Sequence, residues 1–364
     1  MKKRIYFVVH NFSSEAGGGV NRVVSETANE LAKDRSLDIN ILSLAVIGSD
    51  TAYPIANNVK VHSLNMKKHS TTQYKGVLKL FWLISAYINV LSFYVKEKKS
   101  CTWNLTSPPL IILFSLFIKG THKFINCEHV SPQIKNDKYI LKFMRKIILN
   151  RADVTISLNK SDFNYYNKIG VKTKLIYNGI NIKHTNKYNT EKIIIFVGRF
   201  EDQKDPMSAL DIFYNSKLYE KGFIFKMYGY GKYHKDLLKK IEELNLKNRV
   251  FIITDEKKPE NIYLNAYCLI MTSRFEGFGM VLIEAMSRGI PCIAYDCPYG
   301  PSDIIVNHIN GYLIKPNDKL GFSEVLSQVD NFNFDKSLIV NSVDKFNISS
   351  VCKSWNCLID GELD

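Results

Sequence analysis

The sequence predicts an α/β protein with two Rossmann-like, doubly wound parallel sheets. Short apolar segments alternate with stretches of helical periodicity along nearly the whole chain, which is the pattern of βα units. A polar stretch at residues 183–192 interrupts the alternation, which starts again at residues 193–197. This second start is continuously apolar, as in strands buried on both faces of a sheet. At roughly 150 residues per domain, a chain of 364 residues suits two such modules.

The first module begins with a strand. The apolar run at residues 5–9 is short and no small-residue cleavage site follows it, so we expect no signal peptide. The predicted strands are residues 5–9, 38–44, 59–64, 123–127, 154–157 and 174–176, and the predicted helices are residues 20–33, 76–98 and 139–150. The turn dipeptide Asn178-Gly179 closes the module.

Two apolar stretches of this module could be mistaken for membrane spans. Lys79 and Asn89 interrupt residues 76–95, and residues 108–118 fall short of the about 20 that a spanning helix needs. We therefore predict that both are buried or amphipathic helices.

The second module repeats the alternation. Its predicted strands are residues 193–197, 223–228, 250–253, 268–272 and 291–294, and its predicted helices are residues 206–215, 234–244 and 280–287. Apolar side chains recur at helical spacing in residues 346–359, which predicts a last helix that packs on the protein. In such folds, ligands bind beyond the carboxyl ends of the strands, in the cleft between two domains.

The positive charge lies in the first half of the chain. The formal net charge is +14, and residues 1–178 hold 26 lysines and arginines against 11 acidic residues, a net charge of +15. Residues 179–364 hold 23 against 24, a net charge of −1. This excess favours a nucleic acid, an anionic membrane surface or a phosphorylated substrate as partner. Nucleic acid is the least favoured, because no recognisable binding module is present.

The seven cysteines indicate buried reduced thiols. No C-x-x-C pair occurs, and most of the cysteines lie in apolar runs. A zinc site is therefore not expected, and the usage suits a reducing cytoplasm.

A glycine run, Gly17-Gly18-Gly19, follows the first strand and precedes a helix. Glycines let a ligand approach the backbone closely, and a helix N-terminus offers free N–H groups to an anion. The alternative is an ordinary loop. The run lacks the third spaced glycine of a dinucleotide fingerprint and the Gly-Lys-Ser/Thr of a Walker loop.

A basic pair closes the first strand of the second module. Gly198-Arg199 follows that strand, and Lys204 comes five residues after Arg199. A guanidinium fork and an ammonium point charge at the carboxyl end of a strand suit a diphosphate. The alternative is a solvated basic loop.

Residues 273–285 carry the most specific pattern. Glu276 and Glu284 lie eight residues apart, with Gly277 and Gly279 between them, where a buried strand passes into a helix. The alternative is a helix start that merely favours acidic side chains. Glu284 argues against that alternative, because it lies in an apolar run, where a carboxylate is costly unless it is paired.

This pattern resembles the E-x7-E motif of retaining glycosyltransferases of the GT-B fold, family 4 (glycosyl transferases group 1). The resemblance covers almost the whole chain. Besides the glycine run, the basic pair and the two glutamates, it includes Glu128-His129, Tyr177-Asn178-Gly179, Gly289-Ile290-Pro291, Asn310-Gly311-Tyr312-Leu313 and a late helix with Trp355.

The resemblance implies an architecture. Two Rossmann-like domains would face a central cleft, with residues 1–178 on the acceptor side and residues 179–345 binding the nucleotide-sugar donor. Residues 346–364 would form a C-terminal helix that crosses back to the first domain.

The resemblance also implies roles. Arg199 and Lys204 would neutralise the donor diphosphate, Glu276 would contact the transferred hexose, and Glu284 would contact the ribose. His129 would lie near the transferred sugar, or else be a packed surface histidine. The remaining expected donor contacts, mostly backbone N–H groups, are Gly18, Gly19, Gly277, Phe278, Gly279, Met280 and Val281.

The implied activity is retaining transfer of a hexose or N-acetylhexosamine from a nucleotide-diphosphate sugar, with UDP as the expected nucleotide. No Asp-x-Asp sequence occurs, so we expect no metal and no other cofactor. Charge on the leaving diphosphate would then be met by Arg199 and Lys204. Paired carboxylates also occur in glycosidases, but the phosphate-binding cations favour transfer.

The expected acceptor is a glycan, in particular a lipid-diphosphate-linked oligosaccharide of bacterial O-antigen or capsule assembly. The protein would be cytoplasmic and peripheral on the inner membrane face. Residues 135–151 could dock on anionic lipid, or form an ordinary helix with a solvated basic face. The basic side chains of that segment are Lys135, Lys138, Lys142, Arg145, Lys146 and Arg151.

Two other functions remain open at this point. A nucleotide-sugar epimerase could use the same two-domain architecture without an acceptor. A non-catalytic protein could keep the nucleotide pocket, although the complete set of Arg199, Lys204, Glu276 and Glu284 speaks against it. Residues 296–302 resemble a loop of polysaccharide-assembling family members, with no assigned role.

Overall fold

The computed structural model describes residues 2–14, 18–45, 50–51, 53–66, 77–97, 100–106, 122–129, 131, 145–182, 190–256 and 259–361. The chain forms two compact units. The first comprises Met1–Asn181 together with Asn347–Asp364, and the second comprises Ile182–Phe346. Each unit contains one parallel β-sheet. The predicted fold class, two doubly wound parallel sheets, is confirmed.

The sheet of the first unit has the strand order β3-β2-β1-β4-β5-β6-β7. Its strands are β1 (Lys3–Val9), β2 (Leu37–Ala45), β3 (Lys60–Met66), β4 (Cys101–Leu105), β5 (Lys123–Cys127), β6 (Val154–Ser157) and β7 (Thr173–Leu175). The helices of this unit are α1 (Gly19–Leu31), α2 (Val77–Lys96), α3 (Lys160–Lys168) and α11 (Ile348–Asp360), and residues 145–149 are also helical. Buried apolar side chains cover both faces of the sheet, as its long apolar strands require.

The sheet of the second unit has the strand order β10-β9-β8-β11-β12-β13. Its strands are β8 (Ile193–Val197), β9 (Ile224–Tyr228), β10 (Val250–Ile253), β11 (Cys268–Met271), β12 (Cys292–Tyr295) and β13 (Gly311–Ile314). Its helices are α4 (Pro206–Asn215), α5 (His234–Glu243), α6 (Pro259–Ile262), α7 (Met280–Met286), α8 (Pro301–Ile304), α9 (Lys319–Ser327) and α10 (Lys336–Asn341). Two 3₁₀ turns, Val329–Asn331 and Asp344–Phe346, complete the unit. Strands β8 and β11 are neighbours, so the loops that leave their carboxyl ends lie side by side.

The sequence analysis missed one strand in each unit, the edge strand β13 of the second sheet and the central strand β4 of the first. Strand β4 pairs with both β1 and β5, yet its apolar residues alternate with the polar Thr102 and Asn104. That alternation is typical of a half-exposed strand, whereas Asn104 is buried. The predicted apolar helix at residues 108–118 and most of the predicted basic segment, residues 135–144, lie outside the described residues.

The C-terminal helix α11 packs on the first unit. Its Trp355 ring meets Phe7 of β1 edge-on, with ring centroids 6.1 Å apart. The Ile348 N–H donates to the carbonyl oxygen of Ile180 at 2.8 Å. A Cβ on Gly179 would lie 2.6 Å from Ile348 Cδ1, so glycine permits this close approach. The predicted return of the last helix to the first domain is therefore present.

The apolar helix α2 packs against the first sheet through its buried side chains, which include Trp82, Ala86 and Val90. Across the described residues, no helix has the length and apolarity that crossing a membrane requires.

Candidate functional site

Lys204 and Glu276 form an ion pair at the carboxyl ends of β8 and β11. The Lys204 Nζ atom lies 2.6 Å from Glu276 Oε1. The two side chains are only 16% and 7% exposed, so water screens the pair weakly. Two residues predicted from separate motifs, 72 positions apart in sequence, are thus in direct contact.

Backbone contacts between the two loops hold this pair together. The Thr272 hydroxyl donates to the carbonyl oxygen of Lys204 at 3.0 Å, and the Arg274 N–H donates to the carbonyl oxygen of Gln203 at 2.8 Å. The Gln203 amide donates to the carbonyl oxygen of Phe275 at 3.2 Å. Gln203 escaped the sequence analysis, because a lone glutamine between charged residues carries no signal.

Arg199 lies on the same loop as Lys204 and is exposed to solvent. Its guanidinium makes one long contact, 3.4 Å from Nη2 to Gln203 Oε1, which is a weak hydrogen bond. A Cβ on Gly198 would lie 3.2 Å from Lys204 Cγ, so glycine lets the lysine stem lie against the backbone. The site therefore combines one paired cation with one that is oriented loosely and open to a ligand.

Glu284 is buried on helix α7 with a tyrosine as partner. The Tyr263 hydroxyl donates to Glu284 Oε2. Arg288 stacks on the Tyr263 ring, with its guanidinium 4.8 Å from the ring centroid, and donates to the main-chain oxygen of Glu284 at 2.7 Å. This arrangement satisfies a carboxylate that the apolar sequence around it made costly. Arg288, four residues after Glu284, could have been found from helical spacing, whereas nothing in the sequence pointed to Tyr263.

The turn before α7 has the backbone geometry that its glycines predicted. Gly279 has φ +98° and caps the helix, so that the chain enters α7 from a left-handed residue. The Phe278 ring is buried and meets Phe346 edge-on at 5.4 Å between centroids. Phe278 therefore anchors the turn in the core. Met280 and Val281 begin the helix and are half-buried.

His129 follows strand β5 in the first unit. The side chain is half-buried, and burial lowers the pKa of His129 to about 4, so that the imidazole is neutral at pH 7. His129 lines a small cavity with Asn104, Asn178 and Trp355. The cavity has room for roughly one water molecule. A neutral imidazole can accept or donate a hydrogen bond there, but it contributes no charge.

The adjacent Glu128 is buried, and its carboxylate is paired with Arg145 and Tyr166. Its Oε1 atom lies 2.8 Å from Arg145 Nη1, and the Tyr166 hydroxyl donates to Oε2. Burial raises the pKa of Glu128, and the Arg145 charge opposes that rise. Arg145 was predicted as part of a lipid-facing basic helix. In the structure its guanidinium is the partner of a buried carboxylate, and docking of residues 135–151 on lipid stays a prediction.

The glycine run begins helix α1 with open space around it. Gly18 has φ +149°, and its N–H donates to the Tyr53 hydroxyl at 3.2 Å. A Cβ on Gly18 or on Gly19 would meet no atom of the described residues within 4 Å. None of the described neighbours therefore enforces glycine at position 19.

The predicted site residues thus fall into two groups. Arg199, Lys204, Glu276, Gly277, Phe278, Gly279, Met280, Val281 and Glu284 belong to neighbouring loops and a helix of the second unit, and Gly18, Gly19 and His129 belong to the first unit. The cysteines are all free thiols, and only Cys357 is exposed. In the described part of the chain, no cluster of three or more His, Cys, Asp or Glu side chains is placed to hold a metal ion.

Comparison with known proteins identifies the second unit. Residues 179–331 match the family of glycosyl transferases group 1. The chain is 26% identical to the amylovoran biosynthesis glycosyltransferase AmsD of Erwinia amylovora, over 94% of this chain and 96% of that protein.

The name of a second relative describes a transferase that acts on a lipid-linked glycan. The chain is 26% identical, over 98% of both proteins, to the GalNAc-alpha-(1->4)-GalNAc-alpha-(1->3)-diNAcBac-PP-undecaprenol alpha-1,4-N-acetyl-D-galactosaminyltransferase of Campylobacter jejuni. Among solved structures, a variant of S. aureus TarM in complex with Fondaparinux, alpha-GlcNAc-glycerol and UDP superposes with a TM-score of 0.77. That match covers 98% of this chain and all of the other, at 16% identity. The resemblance stated from the motifs, and the GT-B fold with it, are confirmed.

Proposed function

We propose that this chain is a glycosyltransferase, because its residues 179–331 match the family of glycosyl transferases group 1. The donor is a nucleotide-diphosphate hexose or N-acetylhexosamine, with UDP as the nucleotide. The sugar moves with retention of its anomeric configuration to a glycan acceptor. The Lys204–Glu276 ion pair beside Arg199 carries this proposal, because it places a carboxylate for sugar hydroxyls next to cations for a diphosphate.

The chemistry needs charge neutralisation and positioning more than covalent catalysis. The bond between the anomeric carbon and the β-phosphate oxygen breaks while the acceptor hydroxyl attacks from the same face. The leaving phosphate takes the proton of that hydroxyl. Negative charge develops on the diphosphate, where Arg199 and Lys204 lower its free energy. Glu276 orients the sugar through its hydroxyls, and Glu284 holds the ribose.

The Lys204–Glu276 ion pair has a consequence for donor binding. Lys204 has its charge balanced by Glu276, so the diphosphate first meets the loosely held Arg199. When the diphosphate reaches Lys204, Glu276 can exchange this cation for sugar hydroxyls as partners. The carboxylate is therefore satisfied before and after binding, and no buried charge is left alone.

The cations at this site support a metal-independent reaction. Lys204, which is paired with Glu276, and Arg199 on the same loop as Lys204 can offset the diphosphate charge without a divalent ion. An epimerase on the same fold stays the alternative, because it would use the same donor site. Donor turnover that needs no acceptor and exceeds slow hydrolysis would favour the epimerase.

We place the acceptor on a lipid diphosphate, as in assembly of bacterial surface polysaccharides. The Campylobacter jejuni relative carries undecaprenol diphosphate in its name, and the Erwinia amylovora relative carries amylovoran biosynthesis. The net charge of +15 in residues 1–178 suits an anionic inner membrane face, to which the cytoplasmic protein would bind peripherally. Flotation with anionic and neutral liposomes tests this docking, and equal binding to both contradicts its electrostatic part.

The donor assignment is tested with a panel of nucleotide sugars. The right donor at 100 times its Kd stabilises the fold by about 2.7 kcal/mol, which a thermal shift detects. Glu276→Ala and Lys204→Ala should lower kcat by about 10²–10³-fold, the scale for loss of a placed electrostatic partner.

Lys221→Ala is the matched control for these variants. Lys221 pairs with Asp330 at 3.1 Å on the surface of the same unit, so its loss should leave kcat unchanged. Circular dichroism and thermal unfolding check that each variant is folded. Normal turnover by a folded Glu276→Ala or Lys204→Ala protein would contradict the site assignment.

A further inference from the structure

Residues 296–302, the loop without an assigned role, leave the carboxyl end of strand β12. Strand β12 is the neighbour of β11, so this loop lies beside the loop that carries Glu276. Both of its ends are fixed. The Asp296 N–H donates to the carbonyl oxygen of Ile314 at 2.7 Å, and the Asp303 N–H donates to that of Gly300 at 2.9 Å.

The loop contacts the Glu276 loop through the backbone at two points. The Glu276 N–H donates to the carbonyl oxygen of Pro298 at 3.1 Å. Gly300 lies directly against Phe278, because a Cβ at position 300 would be 2.1 Å from the Phe278 carbonyl oxygen and 2.6 Å from its carbonyl carbon. Only a glycine permits this contact. Since Phe278 is anchored in the core, the segment 276–278 is held between the core and the loop.

Cys297 is buried in the loop, directly before Pro298, whose carbonyl oxygen accepts from the Glu276 N–H. The residue is 2% exposed. Burial, with a smaller contribution from the Glu276 carboxylate, raises the pKa of the Cys297 thiol to about 12, while the Lys204 charge opposes the rise. The thiol therefore stays protonated at neutral pH and anchors the start of the loop in the core.

The backbone of the loop is strained where it meets Phe278. Tyr299 has φ +73°, a conformation that a bulky residue rarely adopts, and Gly300 has φ +126°. Strain of this kind costs about 1–3 kcal/mol and persists only where the surroundings determine the conformation. Here the conformation is determined by the neighbouring loop, residues 276–278, which carries the predicted site residue Glu276.

We propose that residues 297–300 form a positioning loop for Glu276. This loop fixes the position and orientation of the Glu276 carboxylate relative to the transferred sugar. The proposal rests on the proposed function, in which Glu276 contacts that sugar. It separates two parts of donor recognition. Arg199 lies on another loop, where its guanidinium contacts Gln203, so the nucleotide half of the donor should depend less on residues 297–300 than the sugar half does.

Gly300→Ala tests the positioning role. The added methyl group must push the segment 276–278 away, so kcat for donor turnover should fall about 10–100-fold, whereas the Kd of UDP should rise by a much smaller factor. Gly222→Ala is the matched control. Gly222 also has a positive φ, +86°, but a Cβ there meets no atom within 4 Å. Both variants should lose thermal stability, and only Gly300→Ala should lose turnover.

A second pair of variants keeps the test decisive if Gly300→Ala does not fold. Cys297→Ala opens a small space in the core below the loop and should lower kcat severalfold, whereas Cys297→Ser keeps the volume and should restore most of it. Wild-type turnover in Gly300→Ala and Cys297→Ala, or an equal loss of UDP affinity and kcat, overturns the proposal. Failure of the wild-type protein to turn over any nucleotide sugar would instead overturn the proposed function.

Discussion

The carboxyl ends of the two sheets hold opposite kinds of chemistry. In the second unit, Lys204 and Glu276 form a weakly exposed ion pair, and Glu284 is buried with a tyrosine hydroxyl. In the first unit, His129 is neutral and lines a cavity of about one water molecule. Yet the first half of the sequence carries the net charge of +15 and the second half a net charge of −1.

The comparison teaches that net charge does not locate a ligand-binding cation. Long-range attraction depends on the sum of charges, whereas recognition of a diphosphate depends on one or two cations held in place. In the second half of the chain, acidic residues cancel the charge of those cations, so the net charge does not reveal them. One of them, Glu276, is also the partner that holds Lys204 in position.

The largest expected effect is on the donor KM and concerns Glu284 in the second unit. Glu284→Gln should raise the donor KM about 100-fold, because a hydrogen bond to a charged acceptor contributes about 1.5–3 kcal/mol. Tyr263→Phe, which leaves the carboxylate without its donor, should raise KM about tenfold at nearly constant kcat. Tyr219→Phe serves as the control, since Tyr219 stacks on Tyr214 away from α7.

Deoxy analogues of the nucleotide make that prediction specific to the ribose. Removal of a ribose hydroxyl from UDP should weaken binding to the wild-type protein and cost much less in Glu284→Gln. Such a double-mutant cycle measures the coupling between one side chain and one hydroxyl. Equal losses in both proteins would remove Glu284 from the ribose site.

The second unit was also the more predictable one. The apolar runs of β8, β10 and β11 gave their positions to within a residue, and the glycines marked the turn before α7. Arg199, Lys204, Glu276 and Glu284 were identified from short motifs. Their partners Tyr263 and Gln203 were not, because these contacts join segments far apart in the chain and carry no local pattern.

In the first unit, prediction failed where buried polar residues replace apolar ones. Strand β4 holds a buried asparagine, and Glu128 is buried with Arg145 rather than exposed. Both break the rule that polar residues face water, on which sequence patterns depend. The pairing of Arg145 with Glu128 could not be predicted for this reason.

The next largest expected effect is on the pH dependence of stability, which tests whether the His129 imidazole is neutral in the folded protein. Burial lowers the pKa of this imidazole from 6.5 to about 4 in the folded protein, so between these values only the unfolded chain takes up the proton. Stability should therefore fall as the pH falls from 6.5 towards 4. His129→Gln, which cannot titrate, should reduce that loss by about 1–3 kcal/mol.

Urea unfolding at several pH values measures this difference. His10 and His62 also have a pKa lowered by burial, so the wild-type curve alone does not isolate His129. The difference between wild type and His129→Gln does isolate it. Parallel curves for the two proteins would mean that the imidazole of the folded protein titrates normally.

The smallest expected effect on stability comes from Gly19→Ala. This variant tests whether the start of α1 in the first unit contacts the donor. A Cβ at this position meets no atom within 4 Å, and alanine favours a helix over glycine by up to about 1 kcal/mol. The variant should therefore unfold at the same temperature as the wild type or slightly higher. If donor phosphates approach the start of α1, the methyl group occupies their space, and the donor KM should rise about tenfold, as for a lost hydrogen bond. Unchanged KM and kcat in this stable variant would mean that the glycine run is an ordinary loop and that the second unit binds the diphosphate alone.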